Sequence, residues 1–220
     1  MKIELAIFDL DGVLVDTAKY HYQAWKRLAA ELGFYFSEKD NERLKGVSRM
    51  RSLEILLEVG GIEKSAEEKE QLAEKKNRWY VEYISAMDES EILPGALDFL
   101  KEVKAAGVQV ALGSASKNAR LILDRLHLTP FFDFIVDGTL VSKAKPDPEV
   151  FLLGAQSLNV APERCVVFED AAAGIEAGRR AGMFTVGVGE AEILHEAHVV
   201  VPSLAEASFA ALSRALPDRP

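Results

Sequence analysis

Six short runs of apolar and β-branched residues punctuate the chain: Leu5 to Phe8, Val108 to Leu112, Phe134 to Val136, Cys165 to Phe168, Thr185 to Val188 and Val199 to Val201. Helical patterns separate most of them. Continuously apolar strands alternating with helices require a parallel sheet, because each crossover must return the chain to the same end of the sheet and cover its face. The expected fold class is therefore α/β. The rhythm breaks once, between the first run and the second, where residues 18–92 read as helices only. We expect a core of residues 1–17 and 93–220 with an inserted helical cap of residues 18–92.

Within the insert, Tyr20, Ala24, Trp25, Leu28 and Leu32 form a helical stripe that ends at Gly33, and Leu53, Ile55, Leu56 and Leu57 precede the Gly60-Gly61 break. Ser65 with Glu68 has the spacing of a capping box for a helix running toward Ile84. Leu93-Pro94-Gly95 marks re-entry into the core. Asp147-Pro148 reads as the N-cap and first residue of a helix, and an Ala-rich helix is expected from Ser203 to Leu216.

The chain of 220 residues is long enough for one sizeable core and a smaller appended unit, and its 49% hydrophobic content includes no run of eighteen apolar residues. No membrane span is expected. Met1-Lys2 leads straight into strand-like sequence without a signal-peptide layout, and the lone cysteine, Cys165, lies inside an apolar run. A cytoplasmic protein is expected, with Cys165 as core packing. A net charge of -9, without basic residues interleaved with aromatics, disfavours nucleic acid as a partner. Small molecules are the expected partners, and a monomer the expected state.

The chemistry-bearing residues sit where the strands end, which is where open α/β sheets bind ligands. Asp9-Leu10-Asp11-Gly12 follows the first strand, with Asp16-Thr17 one turn on; Ser114-Ala115-Ser116 follows the second; Lys145-Pro146 precedes a helix; Glu169-Asp170 follows the fourth. A carboxylate attacking a phosphate dianion faces anion–anion repulsion, which a lysine and a divalent cation must offset. Lys145, Glu169 and Asp170 suit that need. Mg²⁺ takes hard oxygen ligands, which Asp9, Asp170, Glu169 and a backbone carbonyl offer. Each residue alone has a structural reading too: Ser114 as an N-cap, Lys145 as a surface charge, Glu169-Asp170 as first-turn acids.

Together, Asp9 to Thr17, Ser114, Lys145 and Glu169-Asp170 resemble the four motifs of the haloacid dehalogenase superfamily of phosphotransferases. The resemblance implies a Rossmannoid parallel core with a helical cap, a phosphoaspartate on Asp9, Asp11 as general acid and base, and Mg²⁺ as cofactor. It makes Asp9, Asp11, Ser114 and Lys145 the catalytic candidates, and Asp9, Asp11, Glu169 and Asp170 the metal candidates.

His21 to Trp25, Leu44 to Arg49, Ser52-Leu53, Lys76 to Arg78 and Ser114 to Asn118 are similar to segments of that superfamily's hexose-phosphate mutases. This implies a substrate-binding set of Thr17, His21, Lys45, Gly46, Val47, Arg49, Ser52, Lys76, Ala115, Ser116, Lys117 and Asn118. Arg49 and the segment Ser116 to Asn118 would take the distal phosphate. The implied reaction interconverts β-D-glucose 1-phosphate and D-glucose 6-phosphate, with β-glucose 1,6-bisphosphate as activating intermediate. Two alternatives stand beside it: a sugar phosphatase, and a catalytically silent sugar-phosphate-binding module. Met50-Arg51 stands where such mutases often carry acids, so Arg51 either joins anion recognition or faces solvent.

Overall fold

Strands Leu5–Phe8 (β1), Gln109–Gly113 (β2), Phe134–Val136 (β3), Cys165–Glu169 (β4), Phe184–Val188 (β5) and Val199–Val201 (β6) pair into one sheet in the order β3-β2-β1-β4-β5-β6, every ladder parallel. This computed structural model describes residues 2–44 and 47–215. The chain divides into two compact units, one of Met1–Asp16 with Asp88–Pro220, the other of Thr17–Met87.

In the first unit, β1 sits mid-sheet between β2 and β4, and the order of the strands reverses there. Leu5 and Ile7 pair in register with Cys165 and Val167, and all four join one buried cluster with Val150, Phe151 and Ala155 of helix Glu149–Ser157 and Ala177 of helix Ala172–Arg180. The alternate residues of β1 and β4 serve the other face. Phe8 stacks on Phe168 at 4.6 Å, and both meet the edge of Phe99 in helix Ala96–Ala105. Both faces of the central strands are thus dry, which explains their unbroken apolar sequence.

The second unit is helical: Ala18–Glu31 (α1), Glu38–Glu42 (α2), Arg49–Gly60 (α3) and Ala66–Ser85 (α4). Ser37 and Ser65 each close a capping box, with Asp40 and Glu68, and Gly61 ends α3 at a φ of 62°. Leu28, Leu53, Leu56, Tyr80 and Ile84 are fully buried, each such aliphatic side chain contributing about 1.5–3 kcal/mol of burial. Among the described residues, no helix is long and apolar enough to cross a membrane.

The remaining core helices are Ala96–Ala105 (α5), Ala119–Arg125 (α6), Glu149–Ser157 (α7), Ala172–Arg180 (α8) and Phe209–Ala215 (α9). Three local expectations shift. Val108 precedes the ladder because its amide still bonds back to Val103 of α5, and Gln109 opens the strand by donating to Glu4. Pro148, not Asp147, is the N-cap of α7, while the Asp147 carboxylate accepts the Glu149 amide. The helix expected from Ser203 is instead a short 3-10 turn, Leu204–Glu206, followed after a break by α9, with Leu216 outside the described residues. Ala207 is extended, and Glu102 of α5 accepts both the Ser208 hydroxyl and the Ala210 amide, so the helix starts there.

Candidate active site

Asp9 is the residue after β1 and Glu169 the last of β4. The two strands pair Leu5 with Cys165 and Ile7 with Val167, so the next step of that register brings Asp9 level with Glu169 on the α7 face. The Asp9 amide still bonds to the Phe168 carbonyl at 3.0 Å, which pins the backbone at this point. Lys145, from the loop ahead of α7, closes the arrangement: its Nζ lies 2.6 Å from Asp9 Oδ1 and 2.7 Å from Glu169 Oε1, above the Phe151 ring. All three side chains are close to fully buried.

Burial works against the charge of Lys145, but the carboxylates of Asp9 and Glu169 outweigh it and raise its pKa. It stays an ammonium. Oε2 of Glu169 accepts the amides of Asp170 and Ala171, so this side chain is engaged at both oxygens. One oxygen from each of Asp9, Glu169 and Asp170 lies within 4.8 Å of the others. Burial first, and neighbouring carboxylates second, push the Asp170 pKa up; burial likewise raises Asp9, partly opposed by Lys145. The cluster is short of positive charge, and its donors are hard oxygens, so it suits a divalent cation of the Mg²⁺ kind.

Asp11, expected among the metal ligands, does not join that group of three. Its Oδ1 is enclosed with no hydrogen-bond partner among the described residues, and burial, followed by the charge of Asp9, pushes its pKa up to about 7. It can hold a proton near neutrality and release it. Gly12, between Asp11 and the return of the loop, has a φ of 79°, and a Cβ there would fall 2.0 Å from Asp170 Oδ2. A side chain at this position would displace the fourth acid.

Ser114 is buried at the end of β2, its amide donating to Val136 and its Oγ accepting the Ser116 amide at 3.1 Å. Accepting that bond leaves the hydroxyl proton for a phosphoryl oxygen. The expected N-cap alternative fails, since α6 begins five residues later and Asn118 is its cap. Beyond Ser114, Ala115 and Lys117 are exposed, Ser116 and Asn118 half-buried.

The second unit carries the other expected residues. Thr17 is buried at the N-cap of α1, its side chain capping nothing. His21 stacks on Tyr80 at 4.0 Å, and its Nδ1 lies 2.9 Å from Lys76 Nζ. An ammonium only donates, so Nδ1 accepts and the ring proton resides on Nε2. Burial, then the charges of Lys76 and Arg49, holds His21 well below its usual range. Lys76 also sits over the rings of Trp25 and Tyr80. Arg49 lies 3.9 Å from Glu74, Ser52 is buried, and Val47 is exposed. Lys45 and Gly46 lie outside the described residues. Arg51 bonds to Glu54 and Glu58 on its own helix, which resolves its role as surface pairing.

Sequence reasoning passed over Glu149, whose carboxylate accepts the amides of Ser142 and Lys143, and the pair Arg120 and Asp137. An acid directly after the third strand was the available signal.

The family described as haloacid dehalogenase-like hydrolase matches residues 3–182. Among curated proteins, the chain is 45% identical to the β-phosphoglucomutase of Bacillus subtilis (strain 168), over 90% of this chain and 89% of the relative. It is 37% identical to a phosphorylated carbohydrates phosphatase of Thermotoga maritima, over 82% of each. Among solved structures, a β-phosphoglucomutase (pgmB) from Clostridium difficile superposes with a TM-score of 0.91 at 45% identity, covering 98% of this chain and 97% of that one.

Proposed function

The chain belongs to the haloacid dehalogenase-like hydrolase family, and from that premise we propose that it is a phosphotransferase interconverting β-D-glucose 1-phosphate and D-glucose 6-phosphate through β-glucose 1,6-bisphosphate. The observation that carries the reading is Asp9 at the mid-sheet crossover with Lys145 bridging it to Glu169. An Asp9 oxygen attacks phosphorus in line, the bond to the departing sugar oxygen breaks, and Asp11 gives that oxygen its proton. In the second half-reaction Asp11 takes the proton of the acceptor hydroxyl, and that oxygen displaces Asp9 from phosphorus. Lys145 and Ser114 balance charge on the transferring oxygens. Mg²⁺ held by Asp9, Glu169 and Asp170 would supply the remaining neutralisation.

Ser116 to Asn118 in the core are proposed as binders of the sugar's other phosphate, and Arg49 of the inserted unit is proposed as a phosphate ligand by its guanidinium fork. Thr17, His21, Ser52 and Lys76 are proposed to hold substrate in the inserted unit. A cytoplasmic monomer acting on small sugar phosphates is the proposed setting.

The test supplies β-glucose 1-phosphate with Mg²⁺ and a trace of bisphosphate, then compares glucose 6-phosphate with inorganic phosphate. Glucose 6-phosphate in large excess is expected. Dominant release of inorganic phosphate selects the second reading, a sugar phosphatase, which the likeness to the Thermotoga phosphatase favours.

A further inference from the structure

The loop Ser114 to Asn118 and the helix it leads into are fastened to four consecutive residues of the neighbouring strand and its turn. Val136 accepts the Ser114 amide, and Gly138 donates its amide to the Ser116 carbonyl at 3.1 Å. Arg120, in the first turn of α6, donates Nη2 to the Ile135 carbonyl and Nε to Asp137 Oδ2, each at 3.0 Å. The other Asp137 oxygen accepts the amide and hydroxyl of Thr139, fixing the turn that presents Gly138. Asp137 is 3% exposed, directly after β3 and outside the carboxylate group of Asp9, Glu169 and Asp170. The fit at Gly138 is tight: a Cβ there would lie 2.2 Å from the Ala115 carbonyl oxygen.

A buried carboxylate costs stability unless each oxygen is satisfied, and this one spends both on holding a loop and a helix in place. We propose that Asp137 is a positioning residue for sugar-phosphate binding, acting through Arg120 and Gly138 to hold Ala115 to Asn118 in the conformation that receives the non-reacting phosphate. The inference rests on the phosphotransferase reading above. Ser114 itself is held by its own bond to β3, and Asp9, Lys145 and Glu169 come from other elements. The braced loop touches the reacting groups at one point, the Ser116 amide on the Ser114 hydroxyl, so the brace governs substrate affinity first and phosphorylation of Asp9 only through that bond.

The experiment compares Asp137→Asn, Arg120→Ala, Gly138→Ala and the Asp137→Asn/Arg120→Ala double variant with the unmodified protein. It measures KM and kcat for β-glucose 1-phosphate, phosphorylation of Asp9 by acetyl phosphate with Mg²⁺, and Tm. The expected result is a KM rise of roughly tenfold, the scale of one lost charge-assisted bond, with kcat and Asp9 phosphorylation near those of the unmodified protein. The double variant should be no worse than the worse single one, because both remove the same brace. Arg120 is exposed, so its variant folds even where Asp137→Asn does not. An unchanged KM in Arg120→Ala and Gly138→Ala overturns the inference, as does a loss of KM, kcat and Asp9 phosphorylation in proportion to Tm. If the unmodified protein forms no Asp9 adduct, the phosphotransferase reading falls and takes this inference with it; that outcome is distinct because it needs no variant.

Discussion

Glu149 accepts the backbone amide of Lys143 at 2.7 Å, two residues before the lysine that bridges Asp9 and Glu169. The same carboxylate takes the Ser142 amide and hydroxyl, so the first residue of α7 anchors the loop that delivers Lys145. The bond from Lys143, above all, holds the Glu149 pKa below its usual range. Glu149→Ala should lower kcat by about ten- to a hundredfold through misplacement of Lys145, while leaving the fold cooperative. Steady-state kinetics beside a thermal melt check this. A folded pKa below the unfolded one means that Glu149's contribution is present above pH 4.5 and is lost as pH falls.

Lys145→Met leaves two buried carboxylates facing each other without a cation. In metal-free protein at neutral pH it should cost about 3–5 kcal/mol in urea unfolding, and acidification should recover part of that as the acids take up protons. Turnover should vanish. A variant as stable as the original would mean that the ammonium contributes nothing to the packing of Asp9 and Glu169.

Asp9→Asn removes the attacking oxygen but keeps the shape of the side chain. Turnover and the beryllium fluoride adduct with Mg²⁺ should both be lost, while sugar-phosphate affinity by calorimetry stays near its original value. Adduct formation in this variant would place the nucleophile elsewhere. The comparison also separates an enzyme from a mere binding module, which would show no turnover to lose.

Mg²⁺ should raise Tm, because the three clustered carboxylates meet only in the folded chain. At one hundred times its dissociation constant a ligand adds about 2.7 kcal/mol. Asp170→Ala should remove most of that increment, measured by calorimetry with and without chelator. An equal shift in that variant would locate the cation outside the cluster.

Both tryptophans, Trp25 and Trp79, lie in the inserted unit, so their fluorescence reports on its unfolding. His21 is neutral there, with its folded pKa below the ordinary 6.5. The unfolded chain binds a proton first as pH falls, so the unit should be fully stable above about pH 6.5 and weaken below it. His21→Gln should flatten that dependence. A slope unchanged by the substitution would assign it to another group.

The strands were legible because central parallel strands are apolar on both faces, and the capping boxes because Ser and an acid three residues on announce themselves. The start of α9 was not, since alanine-rich sequence is helical wherever it is allowed to be, and the deciding group is Glu102, about a hundred residues away in the chain. At the site, Asp9, Lys145, Glu169 and Asp170 could be named from their places after strands, but the register that brings Asp9 level with Glu169 belongs to the sheet. Asp137 and Glu149 escaped notice for a related reason: acids in turns and first helical turns are commonplace, and only their partners distinguish them.

The helical insert leaves the core after Asp16 and returns at Asp88, and nearby Val15 and Ile92 are bridged while the Leu93 amide bonds to Leu14. Entry and exit are stitched to each other before the long excursion begins. Because the seam closes on residues of the core unit alone, the helices between Thr17 and Met87 can be altered without unpicking the ladder beneath Asp9.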